Sequence, residues 1–220
     1  RRMPLVTDQV YHVFNRGVNR QPTFTDTFEY KRAMAVTDYY RFANPPLKFS
    51  VFLKLSQENR LQILADMKKE YPKLAEVLAF CLMPNHFHFL LKQTQDNGIS
   101  KFLSNFQNSY TRYFNTKNER DGPIFLDQFK AVLIETDEQL IHVSRYIHLN
   151  PTTSYLVKNF ELLLDYEWSS LNEYLSGKPE ICETKTIMDI FGTSKNYKSF
   201  LRNQVEYQRE LDKIKHLVLE

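Results

Sequence analysis

The run Val77-Leu78-Ala79-Phe80-Cys81-Leu82, then Met83-Pro84-Asn85, then His86-Phe87-His88-Phe89-Leu90-Leu91-Lys92 constrains the fold most. Two segments of strand length flank a tripeptide holding proline and asparagine, which favour turns, so the pattern predicts two consecutive strands with a tight connection. Successive side chains of a strand leave opposite faces. His86 and His88 therefore share one face, while Phe87 and Phe89 share the other and point into a core. Two imidazoles at that spacing can grip one metal ion. A lone His-x-His pair is more often the satisfied end of a hairpin, so a metal site needs a further ligand from elsewhere in the chain.

Other elements follow from periodicity and punctuation. Val10 to Arg16 alternates as a first strand, and Gly17 to Pro22 reads as a loop. Apolar residues at Phe28, Met34, Val36, Tyr40 and Phe42 predict a helix that stops before Asn44-Pro45-Pro46. Lys48 to Leu55 is read as a strand, and Ser56 as the cap of a helix carrying Leu61, Leu64 and Met67. Ile99, Phe102, Leu103, Phe106, Tyr110, Tyr113 and Phe114 mark a strongly periodic helix. Gln128 to Ile134 is a strand candidate. Thr136 with Gln139 forms a capping-box pattern for a helix carrying Leu140, Val143 and Ile147, with Pro151 as its end.

This order, strand, helix, two strands, helix, strand and an added helix, matches an α+β fold. The sheet is a split βαβ antiparallel sheet of ferredoxin-like type. A Trp168-centred segment and a final helix from about Ser194 to Leu217 complete the chain, with Gly177-Lys178-Pro179 a natural break. The expected division is a catalytic unit over 1–175 and a helical C-terminal extension over 176–220.

The added helix carries Tyr146 and Asn150, one turn apart on one face. Asn150 offers an amide oxygen acceptable to Mg²⁺ or Mn²⁺. A metal beside a tyrosine suggests phosphodiester cleavage through a covalent tyrosyl intermediate. Among 13 tyrosines the rivals are Tyr110 and Tyr113, but both fall in the apolar stripe of their helix, where packing explains them. Tyr146 lies off the Leu140, Val143, Ile147 face. A phenol with an ordinary pKa of about 10 is mostly protonated at neutral pH and needs a proton acceptor as it attacks. His142, four residues earlier, is one candidate, although a surface role explains it as well.

His86-Phe87-His88 resembles the HUH signature of single-tyrosine transposases. The ordered set Tyr11-His12-Val13-Phe14-Asn15-Arg16-Gly17, Leu82 to His88, and Tyr146-Ile147-His148-Leu149-Asn150-Pro151 is similar to the branch associated with repetitive extragenic palindromes, over roughly residues 10 to 175. The resemblance implies the same ferredoxin-like fold, Tyr146 as nucleophile, and His86, His88 and Asn150 as ligands of Mg²⁺ or Mn²⁺. It implies cleavage and strand transfer of single-stranded DNA beside a hairpin, through a 5′-phosphotyrosyl link and a free 3′ hydroxyl, in a monomer or a homodimer. Asn15, Arg16 and Gly17 resemble the family's turn after the first strand and, with Lys130, are the expected DNA contacts. A turn with one solvated arginine is the plainer explanation of the first three. Trp168-Ser169-Ser170 fits the family pattern with a structural role, and packing is the better account of Phe125 and Phe129.

Bulk properties narrow the rest. At 42% hydrophobic and 14% aromatic residues the chain has enough apolar material for a well-filled interior. No apolar run approaches the roughly 20 residues needed to span a bilayer, so no membrane partner is expected. No signal-peptide pattern reads at the amino end, and Cys81 and Cys182 do not make a disulfide framework, so a cytoplasmic protein is expected. A net charge of +3 argues against binding nucleic acid by bulk electrostatics but allows local basic clusters, such as Arg1, Arg2, Arg16 and Arg20. Lys195, Lys198, Arg202, Arg209, Lys213 and Lys215 are diluted by Glu206, Glu210 and Asp212, as on a solvated helix face. Competing functions are a hairpin-binding protein that no longer cuts, a replication or conjugation nickase, and a structural metal module. The last leaves Tyr146 unexplained.

Overall fold

The structure is a computed structural model that describes residues 4–203. Strands β1 (Val10–Arg16), β2 (Ala75–Met83), β3 (His86–Gln93) and β4 (Lys130–Ile134) form one sheet in the order β2-β3-β1-β4. Every neighbouring pair is antiparallel, as the split βαβ arrangement requires. Helix α1 (Thr27–Tyr40) leads through the single-turn α2 (Phe49–Phe52) and α3 (Gln57–Glu70) into β2. Helix α4 (Gly98–Lys117) joins β3 to β4, and α5 (Asp137–Thr153) follows β4.

Alternation divides the sheet into two chemically different faces. Tyr11, Val13, Phe87 and Phe89 are buried on one, against Phe102 and Phe106 of α4. The Phe87–Phe106 and Phe89–Phe102 rings meet edge to face at 5.2 and 5.7 Å, a favourable aromatic geometry. Phe125 joins this cluster from the loop before β4, 5.4 Å from Phe87. His12, Phe14, His86 and His88 occupy the opposite face. There α5 covers β2 and β3, whereas Lys130 and Val132 of β4 stay exposed.

Local chemistry sets the ends of α5. The Thr136 hydroxyl accepts from the Gln139 amide at 3.1 Å, and the Gln139 side chain reaches back to the Glu135 N–H at 2.8 Å, satisfying two donors at the helix start. The helix runs through Pro151 to Thr153 rather than ending at the proline. Proline's fixed φ is helical, and the one amide bond it removes falls in the last turn.

After α5 the chain passes the short α6 (Phe160–Leu163) and runs along the outer edge of β2. Leu82 N–H donates to the Trp168 carbonyl at 2.8 Å and Ser170 N–H to the Phe80 carbonyl at 3.0 Å, so the free edge is covered. Trp168 stacks on Tyr30 at 4.7 Å, a structural use of its ring. Helices α7 (Leu171–Ser176), α8 (Lys185–Phe191) and α9 (Ser194–Arg202) then fold back, and Tyr197 of α9 is fully buried against Tyr174.

Two further sequence expectations need correction. Lys48 to Leu55 is a helical turn, not a strand: Phe49 and Phe52 are buried at an i, i+3 spacing while Val51 is exposed, and Phe52 N–H bonds to the Lys48 carbonyl. Phe28 is 74% exposed and no part of the core. Arg1 and Arg2, and Glu206, Arg209, Glu210, Asp212, Lys213 and Lys215 with the rest of the final helix expected to reach Leu217, lie outside the described residues. Among the described residues no helix is long and apolar enough to cross a membrane.

Candidate active site

The β2–β3 turn is pinned from the loop that follows β1. The Pro84 carbonyl accepts from Thr23 and Phe24 N–H at 2.7 and 2.9 Å, and the Asn85 carbonyl from Gly17 N–H at 2.8 Å. His86 thus starts β3 at a fixed point, opposite Arg16 of β1, and His88 stands opposite Phe14. Across the sheet face α5 brings its own pair down. Asn150 Oδ1 lies 3.3 Å from His86 Nε2, and Asn150 Nδ2 lies 3.4 Å from His88 Nε2. The half-buried Tyr146 ring meets His88 edge-on at 5.4 Å between centroids. The structure therefore brings His86, His88, Tyr146 and Asn150 together within one chain.

The hydrogen bonds around the two imidazoles suit a cation. Asn85 Nδ2 donates to the Arg20 carbonyl at 3.3 Å, which turns Asn85 Oδ1 toward His86 Nδ1 at 2.7 Å. An amide oxygen only accepts, so His86 Nδ1 carries the proton and the neutral ring leaves a lone pair on Nε2. That lone pair faces Asn150 Oδ1, also an acceptor, at 3.3 Å. Two acceptors converge there, an arrangement satisfied by an added proton or by a cation between them. Burial, then the neighbouring His86 and His12, holds His88 well below the usual imidazole range and favours the neutral form that ligates metals. The donor set of two imidazoles and one amide oxygen fits a divalent ion and leaves positions for phosphate oxygens. Among the described residues no group of three His, Cys, Asp or Glu side chains could hold a metal, because the third donor here is an amide.

The other expected residues have different surroundings. Arg16 is exposed at the rim beside His86, and Lys130 is exposed opposite Phe14 on the face that carries the site. Asn15 points the other way and is buried. Its amide donates to Gln107 Oε1 at 2.6 Å and to the Leu126 carbonyl at 2.8 Å, tying β1 to α4 and to the loop before β4. Gly17 is buried as well; a Cβ there would lie 2.2 Å from the Gln21 carbonyl oxygen, so the fold-back of the loop explains the glycine. His142 is engaged with Arg145 at 2.6 Å and lies against Phe200.

Two neighbours of the site escape a sequence reading. His12 Nε2 lies 3.0 Å from His88 Nδ1, and the His12 ring meets Tyr146 at 5.8 Å. Asn85 holds His86 as described. The alternation of Val10 to Arg16 puts His12 on one face with Phe14 and Arg16, but only the β1–β3 register makes it the neighbour of His88. His148 has a separate environment: fully buried, it sits 2.7 Å from both the Tyr197 hydroxyl and Ser170 Oγ.

With this geometry in place, comparison with known proteins is informative. Residues 45–150 match the family model described as transposase IS200 like, a span that ends at Asn150 and contains both histidines and Tyr146. Over that span, just under half of the chain, this protein is similar to IS200-like transposases. The match supports a DNA-processing role of transposase type. Its fold is similar to that of a REP-associated tyrosine transposase solved bound to a REP hairpin, with a TM-score of 0.55 at 16% identity, covering 82% of this chain and 87% of that one. A putative transposase from Deinococcus radiodurans R1 also matches, with a TM-score of 0.34 at 15% identity, covering 67% of this chain and 94% of that one. No curated protein matches.

Proposed function

We propose that this chain is a metal-dependent transesterase that cuts and rejoins single-stranded DNA beside a hairpin through a covalent link to Tyr146. The observation that carries the reading is the convergence of α5 on β3: Asn150 lies within 3.4 Å of the two histidines and Tyr146, one turn earlier, packs against His88. His86, His88 and Asn150 would hold a divalent ion, Mg²⁺ or Mn²⁺. Bound there, the ion would polarise the scissile phosphate and stabilise charge in the transition state.

Tyr146 Oη attacks phosphorus and gives up its proton. The bond from phosphorus to the 3′ oxygen breaks, and that oxygen keeps the electron pair, takes a proton and leaves as a hydroxyl. The 5′ end remains as a phosphotyrosyl ester. One phosphoester replaces another, so the reverse attack by a 3′ hydroxyl rejoins DNA without a nucleotide cofactor. The His12 and His88 rings flank Tyr146 and limit the directions its hydroxyl can take. Arg16 and Lys130, exposed on the open side, are positioned to neutralise phosphates of the incoming strand. Asn15 and Gly17 serve the same contact from behind by fixing the end of β1 that presents Arg16 and the fold-back of the loop after it. Residues 1–175 form the catalytic unit in this reading, and 176–220 extend it.

A REP hairpin bound to a fold neighbour supports a DNA hairpin as partner, and the substrate in this reading is such a hairpin with an unpaired flank. Its folded stem offers shape, and the flank enters the site. The test is incubation of the protein with labelled hairpin oligonucleotides and Mn²⁺. A denaturation-resistant adduct is expected with the wild type, absent for Tyr146→Phe and with EDTA, and at least about 100-fold weaker for His86→Ala. Binding with no adduct under any divalent ion would contradict the reading and favour a hairpin binder that no longer cuts.

A further inference from the structure

We propose that Asn85 and His12 are positioning residues that set the tautomers of His86 and His88, so that each presents a bare Nε2 to Asn150 and the ion. The inference rests on the metal reading given above and concerns how the chain prepares its two ligands before any ion arrives.

An imidazole ligates through a nitrogen that carries no proton, and the hydrogen bond made by its other nitrogen decides which one that is. For His86 the partner is Asn85 Oδ1 at 2.7 Å. The Asn85 amide is itself turned by its bond to the Arg20 carbonyl, so oxygen rather than nitrogen faces the ring. The proton is thereby fixed on Nδ1.

For His88 the partner is His12 Nε2, 3.0 Å from His88 Nδ1. The two nitrogens share one proton. Asn150 Nδ2, 3.4 Å from the other side of the ring, is a donor and so faces a lone pair on His88 Nε2. The shared proton then belongs to His88 Nδ1, and His12 accepts it. The His12 and His88 rings are also near parallel, 5.1 Å apart at 26°, which holds the plane of His88. His86 and His88 stand at 88° to each other, so their two bare nitrogens approach Asn150 from different directions. Asn85 comes from the β2–β3 turn and His12 from the neighbouring strand, so one device serves both ligands from two elements.

Nitrogen-15 NMR of the histidine side chains in the metal-free full-length protein reads the tautomers directly. Both His86 and His88 are expected as the Nδ1–H form at neutral pH. In His12→Phe, which keeps a ring but no acceptor, His88 is expected to lose that preference; in Asn85→Ala, His86 does. Mn²⁺ affinity measured by calorimetry should fall about 10- to 100-fold in either variant, the range for lost outer partners of a ligand. His12→Gln and Asn85→Asp each retain an acceptor and should recover most of the affinity, while melting temperatures confirm that the variants fold. Finding Nε2–H on either ring of the wild type, or tautomers and affinity unchanged in His12→Phe and Asn85→Ala, overturns the proposal. Correct tautomers with no DNA adduct would instead count against the cleavage function and leave the positioning role intact.

Discussion

His88 and His148 are both buried histidines, yet their surroundings give them different work. His88 faces Asn150 and Tyr146, whereas His148, on another side of α5, is enclosed between Tyr197 and Ser170. Burial lowers the His148 pKa to about 3. An unfolded histidine titrates near about 6.5, so below that pH the unfolded chain binds a proton that the folded one refuses. The stability from neutral His148 is therefore complete above about 6.5 and is lost as pH falls toward about 3, by up to about 1.4 kcal/mol per unit. The depressed His88 acts in the same direction. Urea unfolding at pH 7 and pH 5 should show the wild type weakened at the lower pH and His148→Gln weakened less steeply. Equal slopes for the two proteins would contradict this assignment.

At the scale of the element, α5 decides whether a site exists at all, and it is held at its start and along its back. Removing the Thr136 hydroxyl in Thr136→Ala should cost about 1 kcal/mol of unfolding free energy, the usual value of such a cap. Tyr197 donates to Ser144 Oγ at 3.1 Å and lies 2.7 Å from His148 Nδ1. Tyr197→Phe leaves both groups buried without that partner and should cost about 1–3 kcal/mol in the same measurement. Elements with a full period of their own were legible in sequence: β1 from its alternation, α4 from its apolar stripe, and the start of α5 from Thr136 and Gln139. The Lys48 to Leu55 segment was not, because a single turn shows too little period to tell burial at i, i+3 from alternation. The edge cover over 166–170 was also invisible, since its hydrogen bonds join it to residues more than 80 positions away. The site divides the same way. Residue type and spacing made His86, His88, Tyr146 and Asn150 candidates and the family resemblance selected them, but His12 and Asn85 acquire their places only from strand register and from the turn.

Across the whole molecule the division of the sheet into an aromatic face and a polar face explains the composition. Phe87, Phe89, Phe102 and Phe106 fill the side under α4, which leaves His12, His86 and His88 to the opposite face under α5. Phe106→Ala should cost about 3–5 kcal/mol through lost burial and a cavity, visible as a large drop in denaturation midpoint. Cys81 and Cys182 are free, buried thiols, and burial pushes both up in pKa. They should resist alkylation in the folded protein and react once it is unfolded. The central claim is that Tyr146 is the residue that takes the DNA. Mass spectrometry of the trapped adduct after trypsin and nuclease treatment tests it most directly. Tyr146 follows Arg145 and would begin its own tryptic peptide. A 5′-nucleotide mapped to Tyr146 is the predicted result. The modification on Tyr110, Tyr113 or any other side chain would contradict the account.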